Sequence, residues 1–177
     1  MNEARMHLYR KVIPKIAREI VRTLNSKGDI MVDDGQLDEA ELDLAAVMVE
    51  HCNQEDRISQ EAKDAISRRG LPQERFQQVK KSLADARGVK LADDGIEEVI
   101  NQMIEALFTS KNIAEVFAED NVLRKFFKEV MVKYLSVDED LDREARGRLK
   151  NLREGTVEWD IEYERTVAQL KRQKGLL

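Results

Sequence analysis

From Ile13 to Leu170 the apolar residues of this chain return at intervals of three and four. That spacing places them on one face of an α-helix, and it is incompatible with the two-residue alternation of a half-buried strand. Ile13, Ile16, Ile20 and Leu24 open the pattern, and Ile96, Val99, Ile100, Met103, Ile104 and Leu107 form its strongest face. Val122, Phe126, Val130 and Tyr134 continue it, followed by Leu141, Ala145, Leu149 and Leu152, and then by Trp159, Tyr163, Val167 and Leu170. Only 8 Gly and 2 Pro interrupt 177 residues, too few for a turn-rich β architecture. The fold class expected is all-α. No apolar run approaches the roughly 18 residues of a membrane span.

The punctuation gives the boundaries. Pro14 suits a first helical turn, where a missing N–H costs nothing. Gly28, Gly70, Gly88 and Gly175 are placed to stop helices. Ile30-Met31-Val32 reads as a short extended piece ending in a turn at Asp33-Asp34-Gly35. A helix is expected from Asp38, capped with Glu41 as its box partner and carrying Leu42, Ala45, Val49 and Cys52 inward. A separate helix is expected after Asp56 or Ser59, with Ala62, Ala65 and Ile66 on its face. Pro72 then starts a helix carrying Phe76, Val79 and Leu83, and Asp94 is the expected cap of the next.

A constant shift of 83 residues superposes the two halves of the pattern. Ile13 falls on Ile96, Leu24 on Leu107, Ile30 on Ile113, Ile58 on Leu141, Ile66 on Leu149 and Phe76 on Trp159. The expectation is an internal duplication. It gives an N-terminal helical module at 1–88 and a C-terminal one at 89–177, joined by a short hinge at Gly88 to Gly95.

Chemistry-bearing groups are scarce. Cys52 is the single cysteine, so no intrachain disulfide exists and a cytoplasmic setting is the default. The N-terminus has no apolar h-region. The histidines are His7 and His51. His51 and Cys52 are adjacent, and adjacent helical residues point about 100° apart rather than at each other. No zinc spacing or phosphate-cradling glycine loop occurs. Asp138 to Asp142 begins like a calcium loop but has Arg143 where Gly is needed and Leu149 where Glu belongs. No catalytic residue, metal ligand or cofactor is therefore assigned, and no enzymatic activity is expected.

The informative polar feature is segregated charge. The net charge is −5, yet residues 1–28 hold seven basic and two acidic residues, whereas 29–64 hold two basic and twelve acidic. Lys11, Lys15, Arg18 and Arg22 recur at helical spacing as a basic stripe beside Tyr9. Two further clusters run from Arg68 to Arg87 and from Arg143 to Arg153. Such stripes bind phosphates, pair internally or stay solvated. A pI near 5.3 argues against a dedicated nucleic-acid binder. Trp159 is the remaining candidate for an interface anchor if exposed. Phe126, Phe127, Met131 and Tyr134 make a helix apolar on two sides, as expected in a bundle interior.

The stretch Leu8-Tyr-Arg-Lys-Val-Ile-Pro-Lys-Ile-Ala-Arg-Glu-Ile-Val-Arg22 resembles the opening of a bacterial family known as domain of unknown function 507. The similarity continues through Leu37-Asp-Glu-Ala-Glu-Leu-Asp43, the Phe76 to Leu83 segment, Ile100-Asn-Gln-Met103, Ser110-Lys-Asn-Ile113, Val116-Phe-Ala-Glu-Asp120, Arg148-Leu-Lys-Asn-Leu152 and Lys174-Gly-Leu-Leu177. It implies a bacterial cytoplasmic protein of two mainly helical modules, with residues 1–5 as an extension. It supplies no activity or ligand. The function expected is therefore a non-enzymatic protein-interaction or scaffold module, with a protein partner and no membrane contact. Binding of RNA or DNA through the basic stripe is the alternative. Tyr9, Lys11, Lys15, Arg18, Arg22 and Trp159 are the candidate interaction residues.

Overall fold

The computed structural model describes residues 8–135, 137–154 and 156–176. His7, Leu177 and the expected extension at 1–5 lie outside the described residues. A 3-10 turn at Arg10–Val12 leads into α1 (Ile13–Lys27), and β1 (Ile30–Val32) follows. Next come α2 (Leu37–Arg69), a 3-10 turn at Gln73–Arg75, and α3 (Phe76–Arg87). The rest is α4 (Ala92–Thr109), β2 (Ile113–Val116), α5 (Asp120–Leu135), α6 (Val137–Arg148) and α7 (Val157–Gln173). The chain is mostly helical, as its periodicity requires. The expected extended piece is β1, and it pairs antiparallel with β2, Ile30 opposite Val116 and Val32 opposite Ile113.

The helix boundaries follow local chemistry. Pro14 lies in the first turn of α1, and Gly28 ends it in the left-handed conformation at φ 79°. The N–H of Asp29 returns to the Leu24 carbonyl at 2.9 Å. Asn25 Oδ1 then accepts the N–H of Val32, tying the end of α1 to β1. Thr156 caps α7 by accepting the Trp159 N–H at 3.2 Å, satisfying one of the orphan donors of the first turn.

Two expectations about α2 need correction. The separate helix expected after Asp56 or Ser59 does not exist, because α2 is one helix of 33 residues. No Gly or Pro lies within it, and the polar run Asn53 to Asp56 costs at most about 0.7 kcal/mol per residue against Ala, too little to break a packed helix. Nor is Asp38 its cap: Gln36 holds that position without a side-chain bond. The inward face is also rotated. Ala40, Leu44, Met48, His51 and Cys52 are buried, whereas Leu42 is 61% exposed and Val49 is exposed. On α5 the true stripe is Leu123, Phe127, Val130, Met131 and Leu135; Val122 is exposed, and Phe126 and Tyr134 sit at its margin. Pro72 precedes the 3-10 turn rather than starting α3, and Leu91 rather than Asp94 is the N-cap of α4.

One apolar core takes side chains from α1, the first half of α2, α4 and α5, so it draws on both sides of the expected boundary at residue 88. α1 and α4 each pack against α2 and α5 and so occupy opposite corners of a four-helix body. All six residues of the strong α4 stripe are buried, as expected. The second half of α2 packs with α3, burying Ile58, Ala62, Ile66 and Ala84. α6 and α7 form a hairpin with its own small core of Leu141, Ala145 and Leu170. Leu176 packs against both this core and the main one.

Gly95 is the tight point between α2 and α4. A Cβ there would lie 2.7 Å from the Lys90 carbonyl oxygen and 2.8 Å from His51 Cε1. Gly147, on α6, has nothing within 4 Å of such an atom and no positive φ. Gly95→Ala should therefore lower the unfolding free energy by about 1–3 kcal/mol through overpacking. Gly147→Ala should raise it by up to about 1 kcal/mol through helix propensity. Chemical denaturation of the two variants beside the wild type checks both signs.

Candidate interaction face

The outward side of α1 is opposite its buried residues Ile13, Ile16, Ala17, Ile20, Val21 and Leu24. Lys15 and Arg18 lie on it, and Lys11 continues it from the preceding 3-10 turn, all three exposed. None of the three makes an ion pair or side-chain hydrogen bond with the described residues. Arg22, the fourth member of the expected stripe, is engaged. Its Nε donates to Glu41 Oε1 at 2.6 Å and its Nη2 to Asp38 Oδ1 at 3.0 Å, and the bond to Glu41 raises its pKa above the ordinary guanidinium value. The pair once expected to box the start of α2 thus clamps α1 instead. The free stripe is Lys11, Lys15 and Arg18.

Tyr9 is not part of this exposed ridge. It is buried, with Lys171 Nζ 5.2 Å from its ring centroid. It lines a cavity of about 320 Å³ with Leu8, Arg10, Cys52, Glu55, Asp56 and Leu176, which Lys11 of the ridge also borders. Arg10 donates to Asp56 at 2.6 Å and to Asn53 at 3.0 Å. Cys52 Sγ lies 3.5 Å from the Leu8 carbonyl oxygen. Burial pushes the Cys52 thiol up to about 11, so it is protonated at neutral pH. His51 points elsewhere, its Nε2 3.1 Å from Glu55 Oε1. The two neighbours diverge as the helical geometry demands. Cys52 should resist a thiol reagent in the native protein and react at the rate of a free thiol in denaturant, which time-resolved labelling would measure.

Trp159 is also buried. Its ring stacks on Tyr163 with centroids 4.9 Å apart. Arg146 lies over both rings at 5.3 and 5.8 Å and is held by Asp142 at 3.1 Å and Glu154 at 2.5 Å. Tyr163 donates its hydroxyl to Asp142 at 2.5 Å. This network locks α6 to α7. The basic cluster from Arg143 to Arg153 is accordingly largely paired, since Arg143 and Arg148 also meet Asp140 and Glu144. In the second cluster Arg87 pairs with Glu61 at 2.6 Å, while Arg68, Arg69 and Arg75 stay exposed around the α2–α3 turn.

Two polar links outside the expected set fix the four-helix body. Asp43 accepts from the Ser110 hydroxyl and, at 2.9 Å, from the Asn112 amide, holding the start of β2 on α2. Glu19 accepts from Lys133 Nζ at 2.7 Å, joining α1 to α5. Sequence spacing could not reveal either link, because the partners lie 67, 69 and 114 residues apart. The Lys133 bond holds Glu19 below the ordinary carboxylate range, with the Tyr134 hydroxyl assisting. A depressed native pKa stabilises the fold above the unfolded value, and that stabilisation is lost as pH falls through the native one. The stability gap between wild type and Glu19→Gln should thus be full at neutral pH and close below the usual carboxylate range, as thermal melts across pH would show.

Among the described residues no group of three or more His, Cys, Asp or Glu side chains is arranged to hold a metal ion. Nor is any helix long and apolar enough to cross a membrane. Residues 6–176 match the family model described as protein of unknown function (DUF507). The match covers nearly the whole chain, and the protein belongs to that family. Comparison with curated proteins gave no match.

Proposed function

We propose that this protein is a non-enzymatic interaction module of the cytoplasm, docking an anionic surface of a protein partner on the outward ridge of α1. The observation that carries this reading is the free ridge itself. Lys11, Lys15 and Arg18 stand exposed and without carboxylate partners among the described residues, in a chain where many other basic side chains are paired. The proposal includes the duplication of units 1–88 and 89–177. Its support is positional. Shifted by 83 residues, Leu37 at the start of α2 falls on Asp120 at the start of α5, and β1 falls on β2. The antiparallel pairing of those strands is how equivalent strands meet across a two-fold.

The same shift makes the ridge diagnostic. Lys11, Lys15, Arg18 and Arg22 fall on Asp94, Glu98, Asn101 and Glu105 of α4. The buried faces agree between the halves, while three of these four outward positions invert in charge and the fourth, Arg18, falls on neutral Asn101. A core requirement cannot produce that inversion, so we read the ridge as retained for binding. Lys11→Glu, Lys15→Glu and Arg18→Glu together should weaken capture of the partner roughly tenfold or more, at up to about 1 kcal/mol per exposed pair. The melting temperature should hold. Quantitative pull-down beside a thermal melt checks this, and capture that is indifferent to the three changes refutes it.

A nucleic-acid backbone is the second reading, favoured by spacing. The three cations span about 10 Å of helix at about 1.5 Å per residue. One strand of a duplex presents about three phosphates over that length. A gel-shift series over salt separates the readings, because three lost phosphate contacts reduce the logarithmic salt slope by about 2.7.

A further inference from the structure

The ridge has a complement on the chain itself. α1 and α4 sit at opposite corners of the four-helix body, both packed on α2 and α5. Their outward faces therefore point in opposite directions. One carries Lys11, Lys15 and Arg18; the other carries Asp94, Glu98 and Glu105. On α4, Glu98 receives the Gln102 amide at 3.2 Å and has Lys90 at 3.9 Å. Asn101 accepts from Arg124. Asp94 and Glu105 are exposed and make no ion pair with the described residues. Lys15 and Arg18 lie one turn apart along α1, as Asp94 and Glu98 do along α4, so two helices laid together can oppose charge to charge.

We propose that the partner of the α1 ridge is the α4 face of a second copy of this chain. This rests on the preceding reading of α1 and names its occupant. Charge complementarity selects the copy, because a body with opposite charge on opposite sides attracts its own kind in one orientation and repels it in the others. The contact joins two different surfaces. Repetition then gives a ring or an open chain, where a self-matching patch would stop at a dimer. The α1 ridge offers no aromatic anchor, Phe108 is the one exposed aromatic beside the α4 face, and the opposed groups are exposed charges. Association is therefore weak and strongly dependent on salt, since screening acts over about 30 Å at 0.01 M and about 3 Å at 1 M ionic strength.

Sedimentation velocity on the nuclease-treated full chain tests this. At about 0.01 M salt the sedimentation coefficient should climb with protein concentration past that of a dimer, and at about 1 M it should return to the monomer value. The Lys11→Glu, Lys15→Glu, Arg18→Glu variant should stay monomeric. So should a Glu98→Lys, Glu105→Lys variant, which leaves the first turn of α4 intact. Mixing the two variants should restore association, since each supplies the charge the other has lost; this also shows that both are folded. A wild type that stays monomeric at low salt, or association that ignores the variants, overturns the proposal. Association that vanishes on nuclease treatment overturns it as well and assigns the ridge to a phosphate backbone. If the wild type is monomeric yet the α1 variant still loses a captured protein, self-association fails while the reading of α1 stands. If the α1 changes matter in neither assay, both fail.

Discussion

The apolar stripes of α1 and α4 cannot be buried by their own halves alone. α1 needs both α2 and α5, and α4 needs the same two helices. Each stripe carries about six buried apolar side chains, worth roughly 1.5–3 kcal/mol apiece against solvent exposure for the larger ones. Burial on that scale outweighs any exposed ion pair on the molecule, each of which contributes at most about 1 kcal/mol. The four-helix body is therefore set by apolar burial, and the polar links refine it. The β1–β2 ribbon follows from the same arrangement. Once α1 and α4 are fixed at opposite corners, the segments leaving them meet antiparallel and pair.

Gly95 shows how close the body is drawn. The α4 backbone approaches His51 so nearly that no Cβ would fit. His51 is one of two buried polar residues among those described, and its contact with Glu55 satisfies Nε2 within α2 itself. A residue pair that resembles a dyad in sequence is thus part of the packing between helices. Cys52, one position on, faces the Leu8 carbonyl and a cavity that Leu176 also lines.

Much of the fold was legible because local rules decide it. The α4 stripe, the stops at Gly28, Gly70 and Gly88, the extended piece at Ile30 and the α7 face all follow from spacing and backbone preference. The failures occur where a helix touches several partners in succession. α2 meets α1 and α4 over its first half and α3 over its second, and small residues such as Ala40 and Ala62 fill the contacts. A stripe made of large apolar residues alone points at Leu42 and Val49, which face outward. The site was half legible. Spacing located the basic stripe, but the capture of Arg22 by Asp38 and Glu41 is a tertiary event, as is the burial of Tyr9 under Lys171.

The distribution of free charge follows from these constraints. Residues that face a core are held by volume: Ile13 and Leu24 on α1 and Ile96 and Leu107 on α4 are all buried. Outward residues have no such restraint, so they are free to carry either sign. Lys11, Lys15 and Arg18 before and along α1, and Asp94, Glu98 and Glu105 on α4, differ in charge without touching either buried face. Charge pairs tie the start of the chain to α2 at Arg10, in the 3-10 turn, and at Arg22, in α1. Folding consumes one end of the basic stripe, Arg22, and leaves Lys11, Lys15 and Arg18 unpaired among the described residues, on the side of the body away from the acidic face of α4.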